Sequence, residues 1–223
     1  MSVSDLIRQF SRAGETTLND IESKQLLKEL GIPFVESALA DSADAAVTAS
    51  DSAGAPVHLK SVSGSLNNSW SPALSGPALT SQEDIKSAYQ ALSRNGDGVA
   101  VQKAVRPGVE LSIAIRQDIL FGRVLALGYG KLAVEVWEDI AYRIVPLTEK
   151  DARLMVREPK GSRLLDGFGP LEPPDVVAIQ ELLMKLSRFA EETPQVLTLA
   201  LDPIYAYGDG LAVLDARITL RGD

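Results

Sequence analysis

Residues 196–220 read VLTLALDPIYAYGDGLAVLDARITL. Two runs of β-branched, aliphatic and aromatic residues flank Gly208-Asp209-Gly210, the pattern of two antiparallel strands joined by a tight turn. The expected arms are Val196–Tyr207 and Leu211–Leu220. Each carries one aspartate, Asp202 and Asp215, at similar distances from the tip. A hairpin that brings two carboxylates together suits Mg2+, a hard cation that takes oxygen ligands and keeps phosphates as co-ligands. A bland reading stands beside it: Asp202-Pro203 starts a turn and Asp215 pairs with Arg217.

Working upstream, Asp175–Glu192 reads as an amphipathic helix with Ile179, Leu182, Leu183, Leu186 and Phe189 on one face. Thr148 with Asp151 caps a helix to Arg157. Ahead of it lie strand-like runs at Val99–Val105, Val109–Arg116, Arg123–Gly128 and Ala141–Val145, punctuated by Pro107-Gly108 and Phe121-Gly122. The first half alternates: helix Asn19–Leu30 closed by Gly31 and Pro33, strand Phe34–Leu39, helix Ser42–Ala53 ended by Gly54, strand Val57–Val62, helix Ser81–Ser93. Between the last two, Ser63–Pro77 is rich in Ser, Asn, Gly and Pro and reads as a long loop, a type that is often functional. Asn95-Gly96-Asp97-Gly98 is a turn cluster and the expected boundary between lobes 1–96 and 97–223. The class is α+β, without internal repeats.

Composition narrows function. The 223 residues are 45% hydrophobic and 23% charged, enough for a packed core. With 22 basic against 30 acidic residues the net charge is −8, which argues against general nucleic-acid binding but not against a nucleotide. There is no cysteine, so thiolate metal sites, disulfides and cysteine nucleophiles are excluded. The one histidine, His58, allows no histidine relay within the chain and reads as a core or edge residue. No apolar run is long enough to span a bilayer, and Met1–Arg12 does not read as a signal peptide, so a cytoplasmic address is expected.

Lys60 ends the otherwise apolar run Pro56-Val57-His58-Leu59-Lys60. It reads either as a phosphate-holding point charge or as a solvated edge-strand lysine. Glu110, Glu135 and Arg143 lie in strand-like runs and either line a cleft or face solvent. Trp70 and Trp137 read as packing residues.

Taken in order, these segments resemble the ATP-grasp domain of nucleoside-diphosphate-forming acyl-CoA synthetases, as in the separate β subunit of ADP-forming acetyl-CoA synthetase. The residues that carry the likeness are Glu22–Lys28 with Gly31-Ile32-Pro33, Pro56–Lys60, Val101-Gln102-Lys103 and Gly108–Leu111. It continues through Phe121-Gly122, Val134-Glu135-Val136, Asp139–Arg143 and Pro146–Thr148 to Asp202-Pro203 and Val213–Ile218. The resemblance implies two α+β lobes clamping ATP or ADP with Mg2+. Lys60 matches the phosphate lysine, and Arg143 joins it as a catalytic expectation. Val101, Gln102 and Lys103 match the strand into the adenine hinge, with Glu110 and Glu135 also on the nucleotide side. Asp215 matches a Mg2+ ligand, and Asp202 stands where the family usually has asparagine.

It further implies a CoA-binding α-type partner in a hetero-oligomer. The family's phosphate-carrying loop histidine and Gly-Gly pair are replaced by Asn68 and Ala73-Leu74, and its Gly-Leu-Gly-Gly by Gly128-Tyr129-Gly130-Lys131. The implied function is the nucleotide-binding subunit of an acid–thiol ligase, moving phosphate between a partner's phosphohistidine or acyl phosphate and ADP. Two alternatives stand beside it: an inactive regulatory homologue, and another ATP-grasp carboxylate ligase that needs no phosphohistidine. The acyl substrate and the choice of ATP or GTP are not encoded in these residues.

Overall fold

The last three strands organise the larger sheet. In the computed structural model, which describes residues 2–11, 16–62, 77–94 and 98–221, β8 (Val196–Tyr207) pairs antiparallel with both β9 (Gly210–Val213) and β10 (Ala216–Leu220). The expected second arm is thus two strands, interrupted at Leu214-Asp215. On its other side β8 pairs with β5 (Val109–Asp118), which continues to β6 (Gly122–Tyr129) and β7 (Ile140–Ile144). β10 pairs outward with β1 (Thr16–Leu18), giving a seven-stranded antiparallel sheet in the order β1-β10-β8-β5-β6-β7 with β9 beside β8.

Alternation buries one face of this sheet. Leu111, Ile113, Ile115, Leu125, Leu127 and Leu199 pack with Leu6 and Ile7 of α1 (Val3–Ser11) and Leu26 and Leu27 of α2 (Asp20–Glu29). Met155 and Val156 of α6 (Glu149–Arg157) and the expected apolar stripe of α7 (Val176–Glu192) join the same core. The expected Thr148/Asp151 cap holds as a reciprocal box, and Asp175 caps α7 by accepting from the Val177 and Ala178 amides.

A smaller sheet has the order β2-β4-β3, formed by Ser37–Ala40, Val99–Lys103 and Val57–Ser61. Its Val57, Leu59, Val99 and Val101 pack on α3 (Ala43–Ala53) and α4 (Gln82–Ser93) through Ala46 and Ile85. Ser42 caps α3, and Gly54, at φ 77°, ends it.

The chain divides into two units, but not at 96/97. One unit is 1–18, 22–34 and 107–223; the other is 19–21 and 35–106. The correction follows from strand pairing: β4, beyond the expected boundary, is the central strand of the small sheet. The turn cluster at 95–97 lies outside the described residues. Among the described residues no helix is long and apolar enough to cross a membrane.

Candidate functional site

In the smaller unit, β3 is an edge strand whose residues alternate between two faces. Val57 and Leu59 point to the helices, so His58 and Lys60 point the other way. Register places Gln102 opposite both His58 and Ser37 on that second face, and Ala100 opposite Lys60. Of the three expected hinge residues only Gln102 therefore shares a face with Lys60. Val101 is in the helix-side core, and Lys103 is exposed on that side. Gln102 Nε2 donates to the Val35 carbonyl at 3.1 Å, tying β4 to the segment leading into β2.

Lys60 is not the solvated edge lysine of the bland reading. Its side chain is 2% exposed, and its Nζ lies 2.6 Å from Asp20 Oδ2. Ser37 Oγ donates to the same oxygen at 2.9 Å. Sequence reasoning missed Asp20, because nothing local links the first residue of α2 to β3. His58 is half-buried on its edge strand, and burial pulls its imidazole below the ordinary value.

In the larger unit, Asp202 and Glu110 lie on the sheet face away from the core. Leu201 and Ile204 both point into the core, leaving Asp202 and Pro203 opposite the single residue Ser112 of β5. This is a β-bulge, the device that re-aims a side chain beside a site. Ser112 Oγ donates to Asp202 Oδ1 at 2.6 Å. The Asp202 amide donates to the Asp215 carbonyl at 3.0 Å, so the two aspartates adjoin through their backbones, as the hairpin pattern implied.

The Asp215 turn is held from both sides. Asp215 Oδ1 accepts from the Ala216 amide at 3.0 Å. Buried Lys24, on α2, donates to the Leu214 carbonyl at 2.8 Å. Glu110 stands opposite Tyr205 across β5 and β8. Burial first, then the Glu110 charge, raises the Tyr205 phenol above its usual value.

Arg143 goes elsewhere. It pairs with Leu125, whose side chain is in the core, so it belongs to the opposite face of the sheet from Asp202. There it meets Glu158 at 2.5 Å and Asp151 at 4.0 Å, joining β7 to both ends of α6. Glu135 is not on a strand: it is an exposed residue of helix α5 (Lys131–Trp137). Trp137 is 70% exposed and does not pack as expected.

Tyr129 is buried, and its hydroxyl donates to the Val156 carbonyl at 2.7 Å. That carbonyl belongs to the last turn of α6, where helical partners are missing. The loop Ser63–Pro77, with Asn68, Trp70 and Ala73-Leu74, lies outside the described residues apart from Pro77.

Comparison with known proteins gives concordant results. The sequence profile of the ATP-grasp domain matches residues 9–220. The β subunit of ADP-forming acetate–CoA ligase II from Pyrococcus furiosus is 31% identical over 229 residues, covering 97% of each chain. ADP-forming acetate–CoA ligase I from Archaeoglobus fulgidus is 33% identical over 209 residues, which are 89% of this chain and 30% of that longer one. Among solved structures, the dinucleotide-forming acetyl-coenzyme A synthetase 1 of Ca. Korarchaeum cryptofilum, in complex with coenzyme A and Ca-AMPCP, is similar. It has a TM-score of 0.88 and 35% identity, over 99% of this chain and 100% of that one.

Proposed function

Because the chain belongs to the ATP-grasp family, among the subunits and domains of ADP-forming acyl-CoA synthetases, we propose that it is the nucleotide-binding subunit of such a synthetase. It transfers phosphate between a partner's phosphohistidine or acyl phosphate and ADP or ATP, in a cytoplasmic complex with a CoA-binding subunit. The observation that carries this reading is the β-bulge that holds Asp202 beside Asp215, with Ser112 fixing the carboxylate.

The donor set fits Mg2+. Two carboxylates supply hard oxygen ligands, and among the described residues no group of three or more metal-binding side chains gathers. Mg2+ takes few protein ligands and keeps phosphates and water. Asp202 and Asp215 would hold it, and when bound it would neutralise charge on the transferred phosphoryl group. Lys60 supplies a cation on the phosphates, and Gln102 and Glu110 orient the nucleotide. Asn68 has no ring nitrogen to carry phosphate, so the phosphoryl group passes directly between the partner and the nucleotide.

Titration calorimetry with Mg-ATP and Mg-ADP tests this. Asp215→Ala weakens binding at least ~10-fold, about 1.4 kcal/mol. Undetectable binding by the native chain at millimolar nucleotide would sink the reading and favour an inactive partner subunit.

A further inference from the structure

The ion pair beneath the phosphate lysine carries a consequence that neither residue shows alone. Lysine reaches its head group through a flexible four-carbon stem, so a lysine meant to meet a phosphate at one point needs something to fix it. Asp20 Oδ2 receives Lys60 Nζ at 2.6 Å from β3 and Ser37 Oγ at 2.9 Å from β2. β2 and β3 are not neighbours; β4 runs between them. Asp20 therefore spans the sheet face from one edge strand to the other, and its own position is set by Ser37 as well as by the lysine. The two side chains are 7% and 2% exposed, so the pair is held out of bulk water, where a lone charge would be costly.

We infer that Asp20 is a positioning residue for nucleotide binding: it holds the Lys60 ammonium at the place where the phosphates are received. The inference rests on the reading of Lys60 as the phosphate lysine. The logic is the one by which kinases hold a strand lysine with a helix carboxylate to meet ATP phosphates. Asp20 is a carboxylate, which would repel a phosphate rather than bind it. Its effect on the nucleotide is expected to pass through Lys60, and that makes it measurable.

The test is a double-mutant cycle in Mg-ATP affinity, measured by calorimetry on the full chain with native, Asp20→Asn, Lys60→Met and doubly substituted proteins. Thermal melting confirms that each is folded, and the double variant, which removes both buried charges together, guards against loss of fold in either single one. The expected result is a loss of at least ~5-fold for Asp20→Asn when Lys60 is present and less than ~2-fold when Lys60 is already methionine, the signature of coupled neighbours. A purely structural carboxylate would give the same loss in both backgrounds, and that would overturn the inference. So would unchanged affinity in Asp20→Asn, and so would tighter binding, which would make Asp20 a competitor of the phosphates. If Lys60→Met alone leaves affinity unchanged, the phosphate role of Lys60 falls and the inference falls with it. The first three outcomes refute only the role of Asp20.

Discussion

Replacing Ser112 with alanine deletes one hydroxyl and changes nothing else in the larger sheet, since alanine is well tolerated in a strand that already carries Ala114. The hydroxyl donates to Asp202 at 2.6 Å from a residue that is 8% exposed, and the acceptor is half-buried. A hydrogen bond to a charged group contributes ~1.5–3 kcal/mol, and the partial exposure of Asp202 sets the expected loss at the low end, about 1.5 kcal/mol. For a chain of this size that corresponds to a fall in melting temperature of about 3–6 °C.

The same deletion removes one restraint on the Asp202 side chain. Recovered side-chain freedom of ~0.5–1 kcal/mol weakens Mg-ATP by roughly twofold to fivefold. Thermal melting followed by circular dichroism reads the first effect and calorimetry the second. Ser112→Thr, which keeps a hydroxyl, serves as the control. A melting temperature indistinguishable from that of the native protein would show that Ser112 does not hold Asp202. A lowered melting temperature with unchanged Mg-ATP affinity would show that the bulge is structural and that Asp202 does not serve the metal.

Two further outcomes follow from the same geometry. Tyr129→Phe leaves the Val156 carbonyl without its hydroxyl donor and costs about 1–2 kcal/mol in urea unfolding, whereas an unchanged midpoint would refute the capping role. The hydrogen bonds from Thr148 hold the Asp151 carboxyl below its usual value, so its contribution is complete above the unfolded value of ~4 and is lost as pH falls through the lower folded one. The melting-temperature gap between native protein and Asp151→Asn should thus close toward low pH, and a gap that persists unchanged there would refute the box as its source.

What the sequence disclosed and what it hid divide along the range of the interactions. Caps and apolar stripes are local, so the helices starting at Ser42, Thr148 and Asp175 and the buried face of α7 were legible. Residues 131–137 misled, because Val134 and Val136 favour strands while the chain after Gly130 turns into α5. The bulge at Asp202 was invisible, since a doubled residue shows only against its partner strand. The aspartates themselves were legible, because a turn lies between them. Lys60 appeared ambiguous until its acid was known, and that acid lies on an element far upstream. The expected division at 96/97 failed for the same reason: a turn cluster marks a bend in the chain and says nothing about which sheet the next strand will join.

The strand order of the larger sheet also governs the order in which the protein can be completed during synthesis. β1 pairs with β10, the last strand of the sheet in chain order, and β8 stands between β10 and β5. The small sheet closes once β4 emerges and can acquire its core while translation continues. The larger sheet, by contrast, keeps β5 without a neighbour on one side until β8 arrives, and β1 without its partner until β10. The nascent chain therefore carries a finished small unit while the large one is still unfinished, with open strand edges exposed to unwanted pairing until β8 and β10 emerge.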